Sequence, residues 1–294
     1  MKTENFLGLE CYPLENGSLK LLVTRSVGPR ILSFGFRDVE NLFAELPEAV
    51  IDTPGNEVFH FYGGHRLWHA PEEPKRTYLP DDSPVDIVPL ENGLTVTQPV
   101  EPQTGLQKTL EIRLSGDSAQ VVITHRLTNQ GLWPVTCAPW AITQLQTGGT
   151  AILPQARQDT GVLPNRSLGL WPYTDMANQN VQWGSNFILL HARLDSPFKI
   201  GFPNPRGWLA YWWKGMLFVK RADYDPQAEY YDFGGSSQCY CDHRFIELET
   251  LAPIHTLAPG ETASHIELWS LYKDIDPPTN EDEAQILVDK LGLE

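Results

Sequence analysis

Residues 208–221 read W-L-A-Y-W-W-K-G-M-L-F-V-K-R. Two apolar runs of strand length flank Lys214 and Gly215, and a two-residue loop with glycine at a central position fits the tight reversal of an antiparallel hairpin. Outward from this hairpin, short alternating or β-branched apolar runs recur, bounded by Gly, Pro, Asn and Asp, at spacings that suggest a sandwich rather than alternating strand and helix. Strands are expected at 19–24, 30–36, 94–99, 106–114, 119–128, 135–145, 187–193, 208–213, 216–221, 244–251 and 263–272. A second turn is expected after Asn129, Gln130 and Gly131, and E-N-L-F-A-E-L at 40–46 reads as strand or one helical turn. The one helix expected is at the carboxyl end, capped by Thr279 or Asn280, rich in early acids, with Ile286, Leu287 and Leu291 as its apolar stripe. The fold class is therefore all-β, mostly antiparallel, with a short C-terminal helix.

With 24 prolines and 23 glycines, the connections are long from Pro71 to Pro89 and from Pro154 to Asn180, and loops of that length are often functional. No repeat or linker divides the 294 residues, so residues 1–294 are expected to form a single domain. The net charge of −15 and pI near 4.9 make nucleic acid or an anionic membrane an unfavourable partner and suit a neutral small molecule. The amino terminus lacks the apolar run of a secretory signal and no stretch approaches a membrane span, which points to a cytoplasmic protein. Cys11, Cys137, Cys239 and Cys241 are too sparse for a disulfide framework and are expected as free thiols.

Three segments can carry chemistry. In F-I-E-L-E-T-L, residues 245–251, alternation puts Glu247 and Glu249 on one face and Ile246, Leu248 and Thr250 on the other. Those acids face either water or a cleft, where aromatic walls and a second acid would raise a carboxyl pKa toward that of a general base working near neutrality. In H-F-Y-G-G-H-R-L-W-H, residues 60–69, strand parity sets His65 with His69 and Arg66 with Trp68, so all reach one pocket only if a bulge follows Gly64. Nine tryptophans and ten tyrosines include Trp68, Trp133, Trp140, Trp171 and Tyr173, suited either to core packing or to stacking on the C–H patches of a sugar. Cys239, Cys241 and His243 alternate and could hold a soft metal, although zinc sites need four ligands at other spacings, so no metal is expected. Lys75 and Arg76 could hold a phosphate or stand solvated. No dinucleotide, Walker or nucleophile-elbow motif is present, so no cofactor is expected.

Five pieces, V-G-P-R-I-L-S-F-G at 27–35, G-G-H-R-L-W at 63–68, L-P-N-R-S-L-G-L-W-P-Y-T-D at 163–175, E-L-E-T-L at 247–251 and L-A-P-G-E at 257–261, together resemble the galactose mutarotase-like superfamily over nearly the whole chain. They are closer still to a mutarotase-like domain family of uncharacterised activity within it. The resemblance implies a β-supersandwich whose concave sheet binds a sugar. It also implies a glutamate base on a late strand, at the position of Glu249, that works against a histidine acid to interconvert the anomers of an aldose. The stretch where that histidine belongs reads P-V-T-C-A-P-W, with Trp140 in its place, and tryptophan is no general acid. On this reading the protein binds a small-molecule carbohydrate. Glu249 is base, His65 supplies the acid, Arg66 holds a hydroxyl or acidic group, and Glu247, Trp68, Trp140, Trp171 and Tyr173 contribute to binding. The alternative is a non-catalytic carbohydrate-binding or sensing module, and a third reading, a polysaccharide lyase or hydrolase, predicts an extended groove.

Overall fold

The hairpin forms as Trp208–Trp213 and Met216–Ala222, paired from Trp208 opposite Arg221 to Trp213 opposite Met216. Lys214 and Gly215 have φ of 46° and 80°, the left-handed pair that a two-residue turn of type I′ requires. It belongs to a computed structural model that describes residues 2–53 and 57–294.

Two antiparallel sheets face each other, with 12 and 10 strands among the described residues. The centre of the larger sheet runs Arg30–Phe36, Val58–Ala70, Val135–Leu145, Ile246–Leu251, Ser237–Cys241, Phe198–Phe202. The centre of the smaller runs Trp208–Trp213, Met216–Ala222, Thr262–Tyr272, Gln120–Asn129, Leu106–Leu114. Phe34, Phe43, Phe218 and Trp269 meet between them, each pair packed at 5.4–6.4 Å between ring centres, and burial of each ring contributes roughly 1.5–3 kcal/mol. All the expected strands are present within two or three residues of their expected bounds. The segment 40–46 is extended at its end, where Glu45–Asp52 begins.

The C-terminal helix is Glu281–Leu291, and Asn280 is its cap, its side chain accepting from the Glu283 N–H at 3.0 Å. Its buried face is Ala284, Leu287 and Val288, packed on Phe187 and Trp208. Ile286 is 67% exposed, so the expected stripe is rotated. No helix among the described residues is long and apolar enough to cross a membrane.

The layer between the sheets is not wholly apolar. Lys220 and Glu267, both without exposed side-chain surface, form an ion pair at 2.9 Å. The Lys220 ammonium also donates to the Thr143 hydroxyl at 3.0 Å and to the carbonyls of Ala141 and Leu248 at 3.1 and 3.0 Å. The smaller sheet thereby grips the backs of two adjacent strands of the larger one. Among the described residues one group, His65, His125 and Glu267, has donor atoms close enough for a metal ion, but the Lys220 ammonium already occupies the carboxylate.

Candidate active site on the outer face of the larger sheet

The Val58–Ala70 strand begins irregularly, because Tyr62, Gly63 and Gly64 all have positive φ, at 54°, 92° and 71°. A Cβ on Gly63 would stand 1.9 Å from the Ala44 carbonyl oxygen, and one on Gly64 2.1 Å from that of Ile31, so only glycine fits either position. The irregularity precedes Gly64's successor, and strict alternation follows it. Arg66 and Trp68 therefore face outward, while His65 and His69 face the inter-sheet layer. His65 lies against Thr143 and His125, at 2.9 and 2.7 Å, with no exposed surface. This corrects the expectation that His65 shares a pocket with the glutamates: it stands on the opposite side of the sheet from them.

Neighbouring strands add to the outer face in register. Gln144 stands opposite Glu247 and Ile142 opposite Glu249 on one side, while Tyr240 and Gln238 stand opposite the same two glutamates on the other. Lys199 is opposite Tyr240 one strand further on. Over this face lies a cavity of about 270 Å³ whose walls include Arg66, Trp68, Trp140, Lys199, Tyr240 and Glu247, with Phe61, Tyr173, Arg244 and Phe245 at its sides. Its volume sits just below the roughly 300–1,000 Å³ usual for ligand sites, which suits one small ring rather than an extended polymer.

The two glutamates are not equivalent. Glu247 lines the cavity and accepts from Arg66 at 3.1 Å and Gln144 at 3.0 Å. Burial pushes its carboxyl up to about 7, against the pull of Arg66, and the neighbouring Glu249 adds to the rise. Glu249 lies behind the wall with no exposed surface, one oxygen accepting from the Trp140 indole at 2.7 Å and from the Lys199 ammonium at 3.0 Å. The Arg66 guanidinium stacks 4.3 Å from the Trp68 ring centre, and the Lys199 ammonium sits 4.8 Å from the ring centres of both Trp140 and Trp171.

Five buried side-chain atoms around the two glutamates have no hydrogen-bond partner among the described residues: Arg66 Nε and Nη1, and the Oε1 atoms of Gln144, Gln238 and Glu249. Each such group costs about 1–3 kcal/mol unless something completes it. A larger open cleft of about 940 Å³, near Arg37, Lys214 and Lys290, includes no atom of this kind, and for that reason we place the site at the smaller cavity.

Of the residues singled out from sequence, the fold brings Glu247, Arg66, Trp68, Trp140 and Tyr173 to the cavity, Glu249 directly behind it, and Trp171 against Lys199. Trp133 is 76% exposed and apart from it. Cys239 and Cys241 point into the core and the strand ends there, leaving His243 exposed, so these three form no ligand set. Lys75 and Arg76 lie in the short helix Pro74–Thr77 outside the cavity wall. Sequence reading passed over Lys199, Gln144 and Tyr240. The one signal for Lys199 was a lysine inside the apolar run F-K-I-G-F at 198–202.

No family model matches the chain, and no curated protein sequence matches it. Solved structures do. A galactose mutarotase-like protein from Lactobacillus casei aligns with a TM-score of 0.60 at 12% identity, over 89% of this chain and all of that one. A provisionally assigned aldose 1-epimerase from Klebsiella pneumoniae aligns at 0.58 and 11% identity, over 97% of this chain and 83% of that one. A provisionally assigned mutarotase from Salmonella typhimurium gives 0.55 at 12% identity, over 92% and 93%. The chain has the galactose mutarotase-like fold.

Proposed function

We propose that this protein binds a carbohydrate in the cavity beside Glu247 and interconverts its anomers by proton transfer, as an aldose 1-epimerase-like enzyme. The observation that carries this reading is the cavity wall, where the Glu247 carboxyl, raised to about 7, stands beside Arg66, whose Nε and Nη1 have no partner among the described residues, and between aromatic walls. A sugar ring supplies hydroxyls that both donate and accept, and C–H faces that pack on indole and phenyl rings, so it matches both kinds of surface. A carboxyl with a pKa near the working pH is suited to take the proton of an anomeric hydroxyl and return it. Of the two glutamates, Glu247 is the base in this reading, because it lines the cavity while Glu249 is closed in by Trp140 and Lys199. The acid must likewise come from the cavity wall, since His65 lies across the sheet.

The test is Glu247→Gln, with exchange between α and β anomers followed by NMR for a panel of aldoses. Exchange should fall by at least a hundredfold while ligand-induced thermal stabilisation survives; undiminished exchange removes Glu247 from the role. A second reading, binding without turnover, is favoured by one observation: Trp140, which stands where the resemblance implies the acid histidine, donates to Glu249. Measurable binding of an aldose, with acceleration of none in the panel, decides for that reading.

A further inference from the structure

We infer that Lys199 is the general acid of this anomer exchange, an inference that rests on the epimerase reading above. Its strand, Phe198–Phe202, turns Phe198, Ile200 and Phe202 into the core, and alternation sends Lys199 to the outer face beside the cavity. Tyr240 is register partner to both Lys199 and Glu247. Those two residues therefore stand in one row, two strands apart, or about 10 Å between their Cα atoms at a strand spacing of 4.7–4.9 Å. A pyranose ring between the two side chains would present its anomeric hydroxyl to one and its ring oxygen to the other.

The remaining wall offers no better donor. Arg66 and Arg244 hold their protons at any working pH. Burial pushes the hydroxyls of Tyr78, Tyr173 and Tyr240 above the ordinary tyrosine range, and Glu72 is engaged by the Tyr78 hydroxyl. Trp140, where the resemblance implies a histidine, instead forms one wall of the cage around the Lys199 ammonium. An ammonium carries three protons. Glu249 takes one of them, and the others remain for a ligand.

In the step this predicts, Glu247 removes the proton from O1 as the C1–O5 bond breaks. The bonding pair goes to O5, which receives a proton from the Lys199 ammonium, and C1 becomes the carbonyl carbon of the open-chain aldehyde. Rotation about C1–C2 exposes the other face. O5 then attacks C1, its proton returns to the Lys199 amine, and Glu247 reprotonates O1.

Lys199→Arg separates this role from a structural one, because arginine preserves the positive charge and can still meet Glu249 but does not give up a proton near neutrality. With freshly dissolved α-D-glucose and α-D-galactose and the wider aldose panel as probes, exchange should drop 10²- to 10⁴-fold in Lys199→Arg and Lys199→Met, with sugar-induced thermal stabilisation retained in the arginine variant. Exchange within about threefold of wild type in Lys199→Arg overturns the inference while leaving the epimerase reading intact. A wild-type protein that exchanges no aldose overturns both.

Discussion

Lys220→Met is the sharpest test of how this fold is held together. Lys220 and Glu267 have no exposed side-chain surface, so methionine fills the space of the aliphatic stem and deletes only the charge and its donors. Four acceptors lose a donor: the Glu267 carboxylate, the Thr143 hydroxyl and the carbonyls of Ala141 and Leu248. The three neutral acceptors cost about 1–3 kcal/mol each where no other donor completes them. The carboxylate dominates, because breaking a buried pair from one side leaves an uncompensated charge and costs about 3–5 kcal/mol. Glu267 would keep hydrogen bonds from the Trp269 indole at 2.8 Å and the Thr250 hydroxyl, with His125 and His265 at 4.0 and 3.9 Å. Against a total stability of about 5–15 kcal/mol for a domain, the single variant should be severely weakened in urea unfolding followed by tryptophan fluorescence. Adding Glu267→Gln removes the stranded charge, so the double variant should recover at least about 2 kcal/mol relative to the sum of the two single changes. A loss below about 1 kcal/mol in Lys220→Met, or simple additivity in the double variant, would refute the reasoning.

The same layer predicts an acid-sensitive fold. Burial above all lowers His65, His125 and His265, the last to about 3, whereas the unfolded chain titrates near 6.5. The unfolded state therefore binds more protons below that pH, so His265 removes up to about 2 kcal/mol of stability between pH 6.5 and 5, and His65 and His125 act in the same direction. Glu247, raised to about 7, works the other way, its contribution growing as pH falls from 7 toward 4.5, but it is one group against three. The urea midpoint should be flat above pH 7 and fall toward pH 5; a midpoint that rises on acidification contradicts the assignment. Gly64→Ala should destabilise by several kcal/mol, since the new Cβ meets the Ile31 carbonyl oxygen at 2.1 Å in a left-handed conformation; a change in the urea midpoint corresponding to less than 1 kcal/mol would show that the strand can shift to accept it.

Much of the fold was legible because its strands alternate cleanly. Parity alone put Glu247 and Glu249 on one face, and the structure keeps them there. Parity could not say which of the two reaches the cavity. That depends on Trp140, 109 residues away in sequence, and on Lys199, 50 residues away, both closing over Glu249. The orientation of His65 failed for a different reason. Gly63 and Gly64 marked an irregularity, but the left-handed run starts at Tyr62, so the regular strand is already re-established when the chain reaches His65. Ile286 was misplaced because its helix is short and turns Ala284, Leu287 and Val288 to the sheet, a choice made by docking against Phe187 and Trp208 rather than by the helix's own weak stripe.

The placement of the site on strands, with ammonium groups gripping both faces of one of them, has a consequence for its precision. Lys220 takes the Leu248 carbonyl from the inter-sheet side and Lys199 takes Glu249 from the cavity side. A slip of one residue would send both glutamates inward, toward Glu267, and turn Leu248 and Thr250 outward. Two extra carboxylates in a layer whose lysines, Lys220 and Lys108, are already paired with Glu267 and Glu101 would be far more costly than any packing gained, so the register that aims Glu247 at the cavity is also the one that layer tolerates. Loop 154–180 brings Tyr173 to the cavity and Trp171 to Lys199, and its Thr174 hydroxyl bonds the Lys199 backbone. Changes of ligand preference should therefore be sought in that loop, while changes of chemistry should be sought on the strands.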